Sequence, residues 1–205
     1  KIRFTGNPVR QDLIEIQHKE NEAQAYFKLI PNKKKVLVIG GSLGAKRINE
    51  LIEANLSYFE ANNLQVIWQT GKLYFEKYKK YQSASVQVHE FLDRMDLAYS
   101  AADYIISRAG AGSVSELCMV AKPVLFIPSP NVAEDHQTKN AMSLVKEEAA
   151  LMLKETDLEE KFQQEFLALI SSEALQQKLG ANILKLAKPN ATKDIADEIE
   201  KLIKK

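Results

Sequence analysis

Three short segments bring glycines and small polar residues together in patterns suited to holding an anion and a sugar. The first is Gly40, Gly41, Ser42, Leu43, Gly44 and Ala45, which follows an apolar run and opens a helical pattern. Glycines there permit positive φ and close backbone approach, and the exposed N–H groups and dipole of a helix start favour a phosphate. The placement is that of a dinucleotide fingerprint, but the spacing is not GxGxxG. The next apolar run also ends Val66, Ile67, Trp68, Gln69, with no acidic residue to take a ribose. A nicotinamide cofactor is therefore disfavoured, and a tight strand-to-helix turn without ligand is the other reading. The second segment, Ser107 to Glu116, has small residues at a helix start, with Gly110, Ala111, Gly112 and Ser113 leading to Glu116. Glu116, expected in the first turn of that helix, can accept two hydrogen bonds, as the vicinal hydroxyls of a ribose require. Alternatively it complements the helix dipole, worth ~0.3–1 kcal/mol, but the flanking glycines favour binding. The third segment runs from Pro128 to Asn140 with two prolines before a polar cluster. His136 and Gln137 are expected where a helix N-terminus meets a ligand and can hydrogen-bond a sugar or phosphate, while Asp135 suits an N-cap and Lys139 the surface.

The remaining chemistry-bearing residues are less promising. His18 and His89 stand at no metal-like spacing from Cys118, and Cys118, beside Leu117, reads as a core residue. No DxD-like motif lies near the three segments.

The elements that would position these segments are legible as a series. Val36–Ile39 is a continuous apolar run of strand length, and helical spacing follows from Ala45 to about Ala61. Strands are expected at Leu64–Trp68, Val86–His89, Tyr104–Ile106, Val124–Ile127 and Leu151–Leu153. Helices are expected at Lys72–Tyr81, Met95–Ser100, Ser113–Val120 and Gln137–Glu147. Such alternation predicts an α/β fold, a doubly wound parallel sheet of Rossmann type whose ligands lie beyond the carboxyl ends of the strands. Residues 1–30 read as an interdomain lead-in, 31–155 as the ligand-binding domain, and 156–205 as a C-terminal helical tail of the same domain. The chain begins at Lys1 and runs almost at once into Gly6-Asn7-Pro8, which reads as part of something longer.

Composition excludes several classes. A net charge of +1 over 205 residues leaves no excess of Lys and Arg for a nucleic-acid surface. Hydrophobic content of 45% against 27% charged suits a globular core rather than disorder. No apolar run approaches the ~20 residues of a membrane-spanning helix, no signal-peptide pattern is present, and one cysteine excludes an internal disulfide and fits a reducing compartment. The Lys-rich tail reads as a solvated helix face.

Six motifs occur in a fixed order: GNPVR at 6–10, GGSLGA at 40–45, HEFLDRM at 89–95, AADYIISRAGAGSVSEL at 101–117, KPVLFIPSP at 122–130 and EDHQTKNA at 134–141. Together they resemble the peptidoglycan N-acetylglucosaminyltransferases of glycosyltransferase family 28, which have the GT-B fold. The resemblance implies the C-terminal, donor-binding half of a two-domain enzyme. UDP-N-acetylglucosamine would lie in a cleft shared with an N-terminal domain that binds the lipid-linked N-acetylmuramoyl-pentapeptide. It implies contacts from Ser42 and the amides of Gly40, Gly41 and Gly44 to the diphosphate, and from the main chain at Leu92 to the uracil edge. Glu116 would take the ribose hydroxyls, and Ala111, Gly112 and Ser113 would supply backbone donors near the phosphates. His136 and Gln137 would reach the N-acetylglucosamine hydroxyls, with Arg10 near the nucleotide. Gly112 and His136 depart from the residues many relatives carry there. The implied reaction is an inverting transfer that needs neither metal nor other cofactor, with the general base supplied by the other domain. The implied location is peripheral, at the cytoplasmic face of the bacterial inner membrane. Rival readings are a stand-alone donor-binding subunit of a split transferase, a sugar-nucleotide epimerase of the same fold, and a structural interaction module.

Overall fold

Val36, Leu37, Val38 and Ile39 are buried without alternation, as fits a strand covered on both faces by helices. They form most of β1 (Lys34–Ile39), the central strand of a parallel sheet. In this computed structural model, which describes residues 2–203, β1 is joined by β2 (Leu64–Gln69), β3 (Val86–His89), β4 (Tyr104–Ser107), β5 (Val124–Phe126) and β6 (Leu151–Met152). The order is β3-β2-β1-β4-β5-β6 and every pair is parallel. The helices are α1 (Glu20–Tyr26), α2 (Lys46–Ala54), α3 (Leu56–Ala61), α4 (Phe75–Tyr78), α5 (Met95–Ala101), α6 (Ala111–Val120), α7 (His136–Lys146), α8 (Leu158–Ser171), α9 (Glu173–Lys185) and α10 (Ala191–Ile203).

The period-two alternation of side chains along a strand sorts the core into two layers. Leu37, Ile39, Ile67 and Ile105 pack with α1, α5, α6 and α7 on one face. Val36, Val38, Trp68 and Ile106 pack with α2, α3 and α8 on the other. Residues expected as a lead-in contribute to the first layer: Leu13, Ile16, Ala23 and Phe27 are all buried there. The tail divides. Phe162, Phe166 and Leu169 of α8 are buried in the second layer, whereas Ile199, Leu202 and Ile203 of α10 are exposed. No described helix is long and apolar enough to cross a membrane.

The single helix expected from Ala45 to Ala61 is instead two, α2 and α3, divided at Asn55. The Asn55 amide donates to the Leu51 carbonyl at 2.8 Å and its Oδ1 accepts from Gln163 at 2.9 Å. Such a side chain competes with the helical ladder and ties the break to α8.

Asp96, at the start of α5, fastens the N-terminal helices to the sheet layer. Its carboxylate receives Arg94 Nε at 3.0 Å and Arg94 Nη2 at 2.9 Å, and Lys19 Nζ at 2.8 Å. The same guanidinium reaches Glu22 at 2.9 Å. The Arg94 hydrogen bonds, then Lys19, hold the Asp96 carboxyl well below the usual carboxylate range. A depressed folded-state value means that the stabilisation is complete above the unfolded value of ~3.9 and is lost as pH falls below it. Asp96→Asn is expected to lower the Tm at pH 7 by roughly 3 °C, with the gap from the parent narrowing in melts recorded below about pH 4. A gap that stays constant with pH would mean that the carboxylate charge contributes nothing.

Candidate functional site

The chain leaves β1 for α2 on one face of the sheet and leaves its neighbour β4 for α6 on the other. This divergence opens a crevice at the carboxyl ends of the strands, the position where open α/β sheets hold ligands. The loops after β1 and β4 form its two walls, and both run into helix N-termini.

The wall after β1 is a glycine turn held from below. Gly41 and Gly44 have φ of +87° and +86°, and Gly44 N donates to the Gly41 carbonyl at 3.0 Å. Gly44 lies against Thr70 and Gly71, the turn after β2, so closely that a Cβ at Gly44 would collide with the Thr70 carbonyl oxygen. A Cβ at Gly71 would meet the Gly44 backbone. That supporting turn is itself fixed: Asn49 of α2 donates to the Thr70 carbonyl at 2.9 Å while accepting from the Trp68 indole at 2.9 Å. Ser42 is exposed at the tip, and its carbonyl accepts from Lys72 N at 3.3 Å.

Gln69 ends β2 where a dinucleotide-binding fold carries its acidic residue, and it is 4% exposed. Its Nε2 donates to the Gly41 carbonyl at 3.2 Å and its Oε1 accepts from Leu92 N at 3.1 Å. One side chain therefore spaces the glycine turn from the loop after β3. Leu92 is buried with its amide committed, so the Leu92 carbonyl is the main-chain group left for a ligand.

The wall after β4 begins with Ser107, whose hydroxyl donates to the Arg108 carbonyl at 2.8 Å. Gly110 is extended (φ −65°, ψ 149°) and caps α6, so the helix starts at Ala111, two residues earlier than expected. The amides of Ala111, Gly112 and Ser113 thus belong to the first turn and have no intrahelical acceptor. Glu116 moves correspondingly to the second turn, a correction to its expected place that also weakens the dipole reading, because that effect fades within the first turn. Its carboxylate is held at both oxygens, by the Tyr99 hydroxyl at 3.1 Å from Oε2 and by Arg10 Nε at 3.4 Å from Oε1. Asn7 supports the same helix through Ser115 Oγ at 3.0 Å, so the GNPVR segment packs directly on the α6 start.

Two cavities flank the glycine turn. One of about 140 Å³ is lined by Arg10, Gln69, Phe91, Tyr99, Ser113 and Glu116 among others. The other, about 540 Å³, is lined by Gly40, Gly44, Arg108, Ser129, Gln137 and Glu155 among others. Gln137 accepts from Ser129 N at 3.0 Å, which fixes it in the wall of the second cavity. His136 is the exposed first residue of α7 and lies outside that lining. Arg108 is largely buried and bound at both ends of its guanidinium, to the Ile127 carbonyl at 2.9 Å and to Glu155 at 2.5 Å. Cys118 is buried, with its thiol pushed up to about 11 by burial, which suits a core residue rather than a nucleophile. His89 Nε2 is buried without a hydrogen-bond partner among the described residues, and burial pushes the imidazole below its usual value. No group of three or more His, Cys, Asp and Glu suited to a metal ion occurs among the described residues.

Of the site residues expected from sequence, Arg10, Gly41, Ser113 and Glu116 line the first cavity, and Gly40, Gly44 and Gln137 the second. Gln69, Gly71, Tyr99 and Glu155 were not expected. Only Gln69 had a signal in the sequence, its place at a strand end where an acid was sought.

Residues 35–199 match the family described as "Glycosyltransferase family 28 C-terminal domain". A UDP-N-acetylglucosamine--N-acetylmuramyl-(pentapeptide) pyrophosphoryl-undecaprenol N-acetylglucosamine transferase of Christiangramia forsetii is 60% identical over 99% of this chain and 56% of its own length. A protein of the same description from Flavobacterium psychrophilum is 57% identical, again over 99% and 56%. The crystal structure of Acinetobacter baumannii MurG superposes with a TM-score of 0.76 at 29% identity, covering 92% of this chain and 55% of that one. The chain thus spans about half the length of the relatives it matches. With a six-stranded Rossmann-like sheet, a glycine turn and a capped helix at the switch point, and this match over most of its length, the chain belongs to glycosyltransferase family 28, as the C-terminal domain of its GT-B fold.

Proposed function

We propose that this domain binds UDP-N-acetylglucosamine as the donor half of an inverting glycosyltransferase. The enzyme would transfer N-acetylglucosamine to undecaprenyl-pyrophosphoryl-N-acetylmuramoyl-pentapeptide. The observation that carries the reading is the Glu116 carboxylate, fixed by Tyr99 in a cavity between the glycine turn and the α6 start. A carboxylate there suits a ribose diol, and the main-chain amides on either side suit a diphosphate. Ser42, with the amides of Gly40 and Gly41, takes one side of the diphosphate, and the amides of Ala111, Gly112 and Ser113 take the other. Gly44, expected among the phosphate-loop donors, instead shapes the turn, its amide being committed to the Gly41 carbonyl at 3.0 Å. The Leu92 carbonyl accepts from the uracil N3–H, and Arg10 closes over the nucleotide. Gln137, on the wall of the larger cavity, and His136 beside it reach the sugar hydroxyls.

In the transfer, the C4 hydroxyl oxygen of the acceptor forms a bond to the anomeric carbon. The bond from that carbon to the β-phosphate oxygen breaks, and UDP departs with the electron pair. The hydroxyl proton goes to a base contributed by the acceptor-binding domain. Charge developing on the leaving diphosphate is stabilised by the preorganised amides and helix starts on this side. The membrane contact and the peripheral position at the inner membrane belong, on this reading, to the full-length protein.

A transfer assay with labelled UDP-N-acetylglucosamine and the lipid-linked acceptor tests the division of labour. The chain alone should give no product, and a polypeptide that joins it to an acceptor-binding domain should give the disaccharide. Product from the chain alone, or a joined protein that ignores UDP-N-acetylglucosamine, would refute it.

A further inference from the structure

Glu116 owes its fixed orientation to a residue in another helix. Tyr99 lies on α5, every residue of which is buried, and is itself 1% exposed. Its hydroxyl makes a 3.1 Å contact with Glu116 Oε2. Burial, and after it the neighbouring carboxylate, push the phenol well above its usual value, so the hydroxyl keeps its proton and donates. An ionised carboxylate offers about four lone-pair positions. Tyr99 fills one on Oε2 and Arg10, at 3.4 Å, addresses Oε1. Two remain, the number that a vicinal diol needs.

We propose that Tyr99 is a positioning residue for ribose recognition: its buried hydroxyl pins one oxygen of Glu116 so that the carboxylate presents its free lone pairs to both hydroxyls of the nucleotide ribose. The proposal rests on the reading of Glu116 as the ribose acceptor. Arg10 cannot substitute, because its side chain is 43% exposed and its contact with Glu116 is the longer one. α5 begins at Met95, close after Leu92, so the Tyr99 hydroxyl ties Glu116 to the helix that follows the Leu92 loop. The Tyr99 ring packs in the core layer that holds Leu97 and Leu117, so Phe at this position keeps the packing and removes only the donor.

The test is titration of the chain and of its Tyr99→Phe and Glu116→Gln variants with UDP and with 2′-deoxy-UDP. The parent is expected to prefer UDP by about tenfold or more, as loss of one hydrogen bond to a charged group implies. In Tyr99→Phe the affinity for UDP should fall about tenfold while that for 2′-deoxy-UDP, which keeps only the 3′ hydroxyl, falls by less, so the preference shrinks. A merely structural role would weaken both ligands alike and leave the preference intact, and that result would overturn the proposal, as would unchanged binding of both. Glu116→Gln separates the role of Tyr99 from that of Glu116. If it abolishes the preference while Tyr99→Phe retains it, only the role of Tyr99 falls. If it leaves the preference untouched, the ribose reading of Glu116 itself falls.

Discussion

Replacing Glu116 by Ala is expected to weaken binding of UDP-N-acetylglucosamine by about 100-fold or more. The estimate follows from losing two hydrogen bonds between ribose hydroxyls and a carboxylate, each worth ~1.5–3 kcal/mol where one partner is charged. The carboxylate is well placed for that work, 22% exposed and fixed by Tyr99. The substitution also leaves the Tyr99 hydroxyl buried without its acceptor, which costs about 1–3 kcal/mol of stability, while Arg10 is exposed enough to turn to water. The variant should therefore remain folded, with a lowered Tm and little affinity for donor. Calorimetric titration beside a thermal melt separates the two effects. Binding within threefold of the parent would show that Glu116 is not the ribose acceptor.

The second large effect is on the glycine turn after β1. Gly44→Ala is expected to destabilise the chain by ~3 kcal/mol or more, and Gly41→Ala by only ~1–2 kcal/mol, the cost of left-handed backbone for a residue with a Cβ. Both glycines have almost the same φ, +87° at Gly41 and +86° at Gly44. They differ in what surrounds them. A Cβ at Gly41 has no atom within 4 Å, whereas one at Gly44 would strike the Thr70 carbonyl oxygen and lie 2.8 Å from Tyr74 Cδ2. The Thr70 carbonyl cannot retreat cheaply, because Asn49 holds it at 2.9 Å from within the core. Urea unfolding of the two variants therefore isolates close packing from backbone strain. Equal losses would mean that the turn after β2 does not support the glycine turn.

Much of this architecture is legible in the residues themselves. Strands buried on both faces leave unbroken apolar runs, so β1 and β2 announce themselves, and their alternation with helical spacing fixes a parallel sheet. With the sheet comes the edge where ligands bind, and three of the loops reaching it carry glycine or polar clusters. What escaped is long-range pairing. Glu116 looked like a first-turn acid because the capping role of Gly110 depends on backbone angles that no spacing reveals. Tyr99 carries no signal of its own in the sequence, since its partner Glu116 lies on another helix, α6, seventeen residues further along the chain. Gly71 gave no warning, because it matters only against Gly44. The break at Asn55 was hidden for the same reason, its side chain being held by Gln163 from α8. Gln69 was half visible: the missing acid argued against a dinucleotide fingerprint, but the side chain's second use, as a spacer between the glycine turn and Leu92, required the fold.

The most direct measurement is calorimetric titration of the chain with UDP-N-acetylglucosamine, run beside UDP-glucose and NAD. Saturable binding at one site, displaced by UDP, weaker for UDP-glucose and absent for NAD, is the predicted result. A chain that is folded by its melting profile yet takes up no UDP-N-acetylglucosamine, or binds NAD as well, would contradict the assignment of this crevice as the donor site.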